Sequence, residues 1–317
     1  MATDTPYDII GDVHGYADQL EALLHKLDYR KQSGTWRHPE RRAIFLGDLI
    51  DRGPKQLETV DIVRRMVDGG HAQAVMGNHE FNAIAWGMHD AHGRPLRQHS
   101  EKNRDQHKAF LAAIDAKPAL HRELLDWFLT LPLWLELDGI NVVHACWHID
   151  YMARFAARLR PGNRLGVELL NEAATRPKEG ERETLFHAVE TWLKGLEAPL
   201  PEGFSFPDKE GHPRREVRVR WWDHDATHFR DAAVIEEQLR VTLPTLPIPP
   251  AARYRYPSTK PVFFGHYWMQ GEPAIQSPAA ACVDFSVAKQ GKLVAYRWDG
   301  ETELSDLAFR HVESTSN

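Results

Sequence analysis

Three short segments, Gly11-Asp12-Val13-His14-Gly15, Gly47-Asp48-Leu49-Ile50-Asp51-Arg52-Gly53 and Gly77-Asn78-His79-Glu80, gather carboxylates, imidazoles and a carboxamide between glycines. Asp12 and His14 are two residues apart, and in extended chain such residues point the same way, so the pair can hold one cation. Gly11 and Gly15 allow backbone angles closed to other residues and let the chain come close to an ion or a phosphate. A carboxylate with an imidazole suits a borderline divalent metal such as manganese, iron or zinc. Asp48 can set an oxygen on each of two ions, and Asn78 adds a neutral oxygen. Such a set reads as a site for two metals and a phosphate ester.

Groups of this kind need rigid elements that end beside them. Apolar runs of strand type precede all three segments, over residues 7–10, 43–46 and 72–76. The carboxyl ends of strands are the expected place for a site in an α/β sheet. Two further histidines complete the set. Residues 133–137 and 140–144 read as a hairpin turned by Asp138-Gly139, so His144 ends a strand. Val262-Phe-Phe-Gly265-His266 repeats the form of an apolar run, a glycine and a histidine. Leu20, Leu23, Leu24 and Leu27 recur at helical spacing behind the first segment. Leu57, Val60, Val63, Met66 and Val67 do so behind the second, up to Gly69-Gly70.

In order, GDVHG, GDLIDRG, GNHE, a strand-end histidine and GH resemble the signature of calcineurin-like metallophosphoesterases, closest to the phosphoprotein phosphatase branch and its bacterial relatives. One such motif would be weak evidence and five in order are strong. The resemblance spans roughly residues 7–298, because 281–284 and 291–296 look like the paired strands that follow the last histidine in that family. It implies an α/β fold of two sheets sandwiched between helices. It further implies Asp12, His14 and bridging Asp48 on one metal, with Asp48, Asn78, His144 and His266 on the other. His79 becomes the general acid, Asp51 its orienting partner and Arg52 a phosphate clamp. The implied cofactors are two divalent transition ions, manganese ahead of iron, zinc or nickel. Two cations about 3.5 to 4 Å apart lower the pKa of a bridging water and hold phosphoryl oxygens for in-line attack.

Two departures stand out. The usual glycine pair after the fourth ligand is replaced by Ala145-Cys146-Trp147, then His148, which makes that loop bulkier. The second phosphate-binding arginine of the protein phosphatases falls among Arg218, Arg220 and Arg230, of which Arg220 and Arg230 are carried forward. Plainer roles suit several neighbours: Glu80 caps the following helix, Cys146 fills a small buried space, and His148, His224 and His228 are ordinary polar residues. For Asp51 and Arg52 the plain reading is a surface ion pair at a helix start, with Pro54 in the first turn. Function is favoured there.

With 317 residues, 42% of them hydrophobic, the chain can bury one sizeable core. Its two cysteines, far apart, argue against a disulfide framework, and no apolar run is long enough to span a membrane. The first strand begins at Tyr7, which leaves no room for a secretion signal, so a cytoplasmic enzyme is expected. A net charge of -6 and a pI near 6.3 give no sign of a nucleic-acid surface. One metallophosphoesterase domain is expected over residues 1–310. Within it, residues 81–131 read as a polar, His-rich stretch followed by one amphipathic helix over 120–129. A mainly helical cap is inserted over about 151–240, with residues 221–228 walling the pocket, and a proline-rich connection spans about 243–261. Residues 311–317 read as a disordered tail.

The expected activity is hydrolysis of phosphate monoesters, including phosphoserine, phosphothreonine or phosphotyrosine in proteins, by a metal-bridging hydroxide and without a covalent intermediate. The substrate is thus a phosphorylated small molecule, a nucleotide or a phosphoprotein. The runner-up is hydrolysis of dinucleoside polyphosphates such as diadenosine tetraphosphate, for which G-D-L-x-D-R-G-P relatives speak. Symmetrical hydrolases of that class typically carry alanine where Asp51 stands, which tilts the reading toward the monoesterase. An inactive metal-site scaffold would have no need of His79, Asp51 and Arg52.

Overall fold

The computed structural model describes residues 6–178, 180–181, 183–207 and 211–314. The chain opens with strand β1 (Tyr7–Ile10) and helix α1 (Ala17–Lys26), then a ribbon of β2 (Arg30–Gln32) and β3 (Thr35–Arg37). Two more strand-helix units follow, β4 (Arg42–Phe45) with α2 (Gln56–Asp68) and β5 (Ala72–Ala74) with α3 (Asn78–Gly87). Helices α4 (Glu101–Ile114) and α5 (Pro118–Phe128) lead into the hairpin of β6 (Trp134–Glu136) and β7 (Asn141–Val143). Leu137 N–H donates to Ile140 O at 2.9 Å, and the turn between them needs the positive φ that Gly139 supplies.

Next come α6 (Ile149–Phe155), α7 (Leu170–Ala174) and α8 (Leu185–Lys194). Short strands β8 (Glu197–Pro199), β9 (Phe206–Pro207), β10 (Pro213–Arg214) and β11 (Glu216–Arg218) pair as β8 with β11 and β9 with β10. Helical turns α9 (Phe229–Ala232) and α10 (Glu237–Arg240) precede an irregular stretch to β12 (Val262–Phe264). The chain closes with β13 (Ala280–Cys282), β14 (Asp284–Phe285), β15 (Lys292–Trp298) and β16 (Phe309–Glu313).

Two sheets form the centre. In the first, β1, β4 and β5 run parallel, β15 pairs antiparallel with β1, and β14 and β16 pair with β15. In the second, β13, β12 and β7 run parallel and β6 is antiparallel. Strand alternation divides the apolar residues between two cores. Ile9, Ile44 and Tyr296 pack with Val142, Phe263 and Ala281 between the sheets. Ile10, Ala43 and Phe45 pack on the helix side with Leu20, Leu24, Val60 and Val63. The architecture is therefore the two-sheet sandwich flanked by helices that the resemblance implies.

Four details differ from the sequence reading. The stretch before α5 holds a second helix, α4, whose inward face is only His107, Phe110 and Ile114, too few apolar residues to give a strong periodic signal. The segment over 151–240 is mainly helical only in its first half; the short strands β8 to β11 come next, in pieces too short to show alternation, and only the single turns α9 and α10 follow them. Residues 281–284 do not form one strand against β15: β13 belongs to the second sheet, and only Asp284 and Phe285 pair with β15. Residues 311–313 of the expected tail are paired with β15, and 315–317 lie outside the described residues.

Candidate metal centre

Loops leaving β1, β4, β5, β7 and β12 converge at one end of the sandwich. His14 N–H donates to Asp48 O at 2.8 Å, Gly53 N–H to His14 O at 2.7 Å, and Gly265 N–H to His144 O at 2.8 Å. Gly47 and Gly77 lie so close that a Cβ on either would strike the other loop's backbone. Non-glycine residues hold left-handed angles here at His14, Asp48, Asp51, Arg52 and His266. Such angles are uncommon outside glycine and persist where the surroundings fix them.

Asp48 sits at the centre. Its Oδ2 lies 3.8 Å from His14 Nε2, 3.5 Å from His144 Nε2 and 3.8 Å from His79 Nε2. Its Oδ1 accepts the His79 backbone N–H at 2.9 Å. The other ring nitrogens are anchored: His14 Nδ1 lies 3.0 Å from Ile50 O and His144 Nδ1 2.6 Å from Leu46 O. An imidazole whose far nitrogen donates to a carbonyl presents its Nε2 lone pair in a fixed direction, as metal-bound histidines do. Asn78 Oδ1 is 3.1 Å from His144 Nε2. Two sets of donor atoms lie within 4.8 Å of one another, His14 with Asp48 and His79, and Asp48 with His144 and His266.

The donors fit a pair of cations. Among the described residues, both ring nitrogens of buried His266 and Oδ1 of buried Asp12 lack hydrogen-bond partners, whereas buried polar atoms are ordinarily satisfied. Burial, then His79, pulls His14 down to about 4, and burial, Arg218 and His144 hold His266 well below the usual imidazole value. Both therefore offer lone pairs. Burial, Asp284 and Asp48 drive Asp12 well above the carboxylate range. Burial opposes charge on Asp48, yet His144, His79 and His14 hold it well below that range. Crowded buried carboxylates beside imidazoles that stay neutral at His14 and His266 are a cation's environment. Asp12 stands slightly apart from both donor sets, with Oδ2 accepting the His266 backbone N–H at 3.1 Å.

Asp51 and Arg52 do not form the plain ion pair. Asp51 is buried, with Oδ2 2.6 Å from His79 Nδ1, while Arg52 is exposed. Burial works against the charge on His79, but Asp48 and Asp51 together raise its pKa above the usual imidazole value. Two contacts escaped the sequence reading. His107 Nδ1 lies 2.9 Å from Asp51 Oδ1, reaching it from α4. Glu80 does cap α3 through Gly77 N–H at 2.9 Å, but its carboxylate also accepts Asp48 N–H and Leu49 N–H, both at 2.8 Å, and so ties the β5 loop to the β4 loop. Its spacing from Gly77 signals the cap; nothing local signals the tie.

The arginines are redistributed. Arg230 donates to Leu243 O at 2.8 Å and Val241 O at 2.9 Å, which commits it to bracing a loop. Arg220 lines a separate cavity of about 130 Å³ with Asp223, His224 and Tyr254. Trp221 borders that cavity and donates from Nε1 to Ala145 O and lies 3.0 Å from Tyr267 Oη, so it backs the His144 and His266 loops rather than walling the donors. Neither Arg220 nor Arg230 therefore reaches the centre as expected. Arg218 is the arginine of the three whose charge falls on His266. The remaining residues match their plainer roles: His148 stacks on Tyr151 and Tyr254, and Cys146 is buried and free.

Comparison with known proteins places this geometry. The calcineurin-like phosphoesterase family model matches residues 5–226. A Vibrio cholerae protein named bis(5'-nucleosyl)-tetraphosphatase, symmetrical, is 37% identical over 138 residues, 43% of this chain and 43% of that protein. The Bacillus subtilis bis(5'-nucleosyl)-tetraphosphatase PrpE [asymmetrical] is 29% identical over 157 residues, 49% of this chain and 63% of that one. The chain thus spans about half the length of these curated relatives. The structure of a protein serine/threonine phosphatase from Saccharomyces cerevisiae shares the fold, with a TM-score of 0.52 at 14% identity, covering 100% of this chain and 82% of that one. By its family match over residues 5–226, the chain belongs to the calcineurin-like phosphoesterases.

Proposed function

We propose that the protein hydrolyses phosphate monoesters with two divalent transition ions, of which manganese is the first choice. A donor set of oxygens and imidazoles without thiolate suits manganese, iron, zinc or nickel. In this reading Asp12, His14 and Asp48 hold one ion, and Asp48, Asn78, His144 and His266 the other. Asp48, whose Oδ1 accepts the His79 N–H, would be the residue shared by both ions. When bound, such ions lower the pKa of a water between them and neutralise phosphoryl oxygens.

The protein's own groups do the rest. His79 holds a proton on Nε2, beside Asp48 Oδ2, and gives it to the departing oxygen, while Asp51 keeps the ring charged and aimed from Nδ1. Arg52, exposed at the mouth, offers a planar fork to the phosphoryl group, and we assign the second fork to Arg218 in place of Arg220 and Arg230. A cytoplasmic setting belongs to the same reading and is supported by Cys146 and Cys282, both buried and free.

The observation that carries the monoesterase reading is the 2.6 Å contact of His79 with Asp51. An alkoxide leaving group needs a proton, whereas a nucleotide leaving from a polyphosphate chain needs one far less. The second reading, hydrolysis of dinucleoside polyphosphates, is supported by the names of the curated relatives. One panel separates the two. Metal-free protein is reloaded with manganese, zinc, iron, nickel or magnesium and assayed on phosphopeptides, an aryl phosphate, an aryl phosphodiester and diadenosine tetraphosphate. Highest kcat/KM on a monoester supports the first reading; highest kcat/KM on the tetraphosphate overturns it in favour of the second.

A further inference from the structure

Asp51 receives two imidazoles. Besides His79 Nδ1 at 2.6 Å from Oδ2, His107 Nδ1 stands 2.9 Å from Oδ1 and 3.2 Å from Oδ2. The carboxylate is buried, and its own backbone N–H is taken by Gln56 Oε1 at 2.6 Å. Among the described residues, His107 is the side chain that donates to Oδ1.

His107 is held for this one contact. It is 3% exposed, and its ring packs on Phe110 at 5.2 Å and Trp86 at 5.9 Å between centroids. Its Nε2 has no hydrogen-bond partner among the described residues, so Asp51 is the sole polar attachment of the ring there. An imidazole with a proton on Nδ1 meets this arrangement, because it donates to Asp51. The helix that carries it is pinned by Arg97, which donates to Asn103 Oδ1 and Gln106 Oε1, both at 3.0 Å on α4, and to Asn82 Oδ1 on α3.

The physical need is plain. The terminal torsion of an aspartate is broad and roughly two-fold, so one donor leaves the carboxylate free to twist. Two donors on its two oxygens fix the plane. Losing one leaves a buried carboxylate oxygen unsatisfied, which favours rotation away from His79 or uptake of a proton.

We propose that His107 is a positioning residue: its Nδ1–H holds the Asp51 carboxylate in the plane from which Oδ2 aims His79 at the leaving oxygen. The inference rests on the reading of His79 as general acid. No ligand of the proposed ions touches His107, so metal content is an independent readout.

Two variants test it in the metal-loaded enzyme. His107→Asn keeps a donor near the Nδ1 position, whereas His107→Gln carries its amide to the depth of Nε2. For His107→Gln the expected result is a fall in kcat of about 10- to 100-fold on an alkyl phosphate, the range for a lost supporting contact. The change on a nitrophenyl phosphate should stay within about 3-fold, because that leaving group needs little protonation. KM and bound metal stay unchanged. His107→Asn recovers most of the loss, and in a His79→Asn background His107→Gln has no further effect. Equal losses on both esters, equal losses in the Asn and Gln variants, or a Gln effect that persists without His79 would each overturn the proposal. Should His79→Asn alone impair both esters equally, the acid reading falls and this inference falls with it. If His79→Asn discriminates between the esters and His107→Gln does not, only the role of His107 falls.

Discussion

Glu80 gives the sharpest energetic test of how the site is held. Its carboxylate is fully buried and accepts three backbone N–H groups, Asp48 and Gly77 on Oε2 and Leu49 on Oε1. In Glu80→Gln the amide oxygen can replace Oε2 and keep two of them, but the amide nitrogen then faces Leu49 N–H, donor against donor. The loss is one bond to a charged group, about 1.5–3 kcal/mol, plus a buried donor left without an acceptor, about 1–3 kcal/mol. We expect a destabilisation of about 3–5 kcal/mol, a large share of the roughly 5–15 kcal/mol that hold a protein folded. Glu80→Ala would orphan all three groups and is expected to cost more still. The assay is urea unfolding of the metal-free protein at about pH 8, above the value of about 7 to which burial and Asp48 push the carboxyl. At a slope of about 3 kcal/mol per molar urea the midpoint should fall by about 1 M or more. The control is Glu58→Gln, on the exposed side of α2. A Glu80→Gln midpoint no lower than the control's would refute the view that this carboxylate binds the two loops together.

The remaining predictions concern the donors and the arginines. Elemental analysis should find about two transition ions per chain, and Asp48→Asn should lose more than one of them, because Asp48 is common to both donor sets; retention of a full complement would exclude the shared role. Metal-free protein should lose stability as pH falls from about 6.5 toward 4, because the unfolded His14 takes up a proton that the buried ring, held down to about 4, refuses. The unfolded state binds more protons in that window, so stability rises with pH; in His14→Asn the pH slope of unfolding should be shallower by up to about one proton. Arg218→Ala should raise KM for a phosphate monoester by about 10-fold or more, while Arg230→Ala should lower the melting temperature and leave KM within about 2-fold. The reverse pattern would return Arg230 to the site.

The donor loops were legible because each writes its function locally. Asp12, Asp48, Asn78, His144 and His266 follow short apolar runs, and the strand ends that bring them together are a property of the sheet. What lay hidden depends on distance along the chain. His107 meets Asp51 from 56 residues away, out of a helix whose polar exterior masks its inward face. Arg218, Arg220 and Arg230 are close in sequence, yet the carbonyls of Val241 and Leu243 claim one and the cavity behind Trp221 receives another. Glu80 shows both sides at once. Its capping role follows from a three-residue spacing to Gly77, whereas its grip on Asp48 and Leu49 follows from how β4 lies beside β5.

The donor loops hang from both layers of the sandwich, from β1, β4 and β5 in one sheet and from β7 and β12 in the other. A pair of ions seated among them would be a rivet through the two layers at one end, whereas the other end is joined by apolar packing and by hydrogen bonds from Leu304 N–H to Pro278 O and from Ile275 N–H to Asp306 Oδ1, both at 2.8 Å. Chelation is then a mechanical event as well as a chemical one. Stripping the ions should let amide hydrogens at Phe45, Val143 and Phe264, the last strand residues before the donors in both sheets, exchange faster in concert, as two plates parting at a drawn pin.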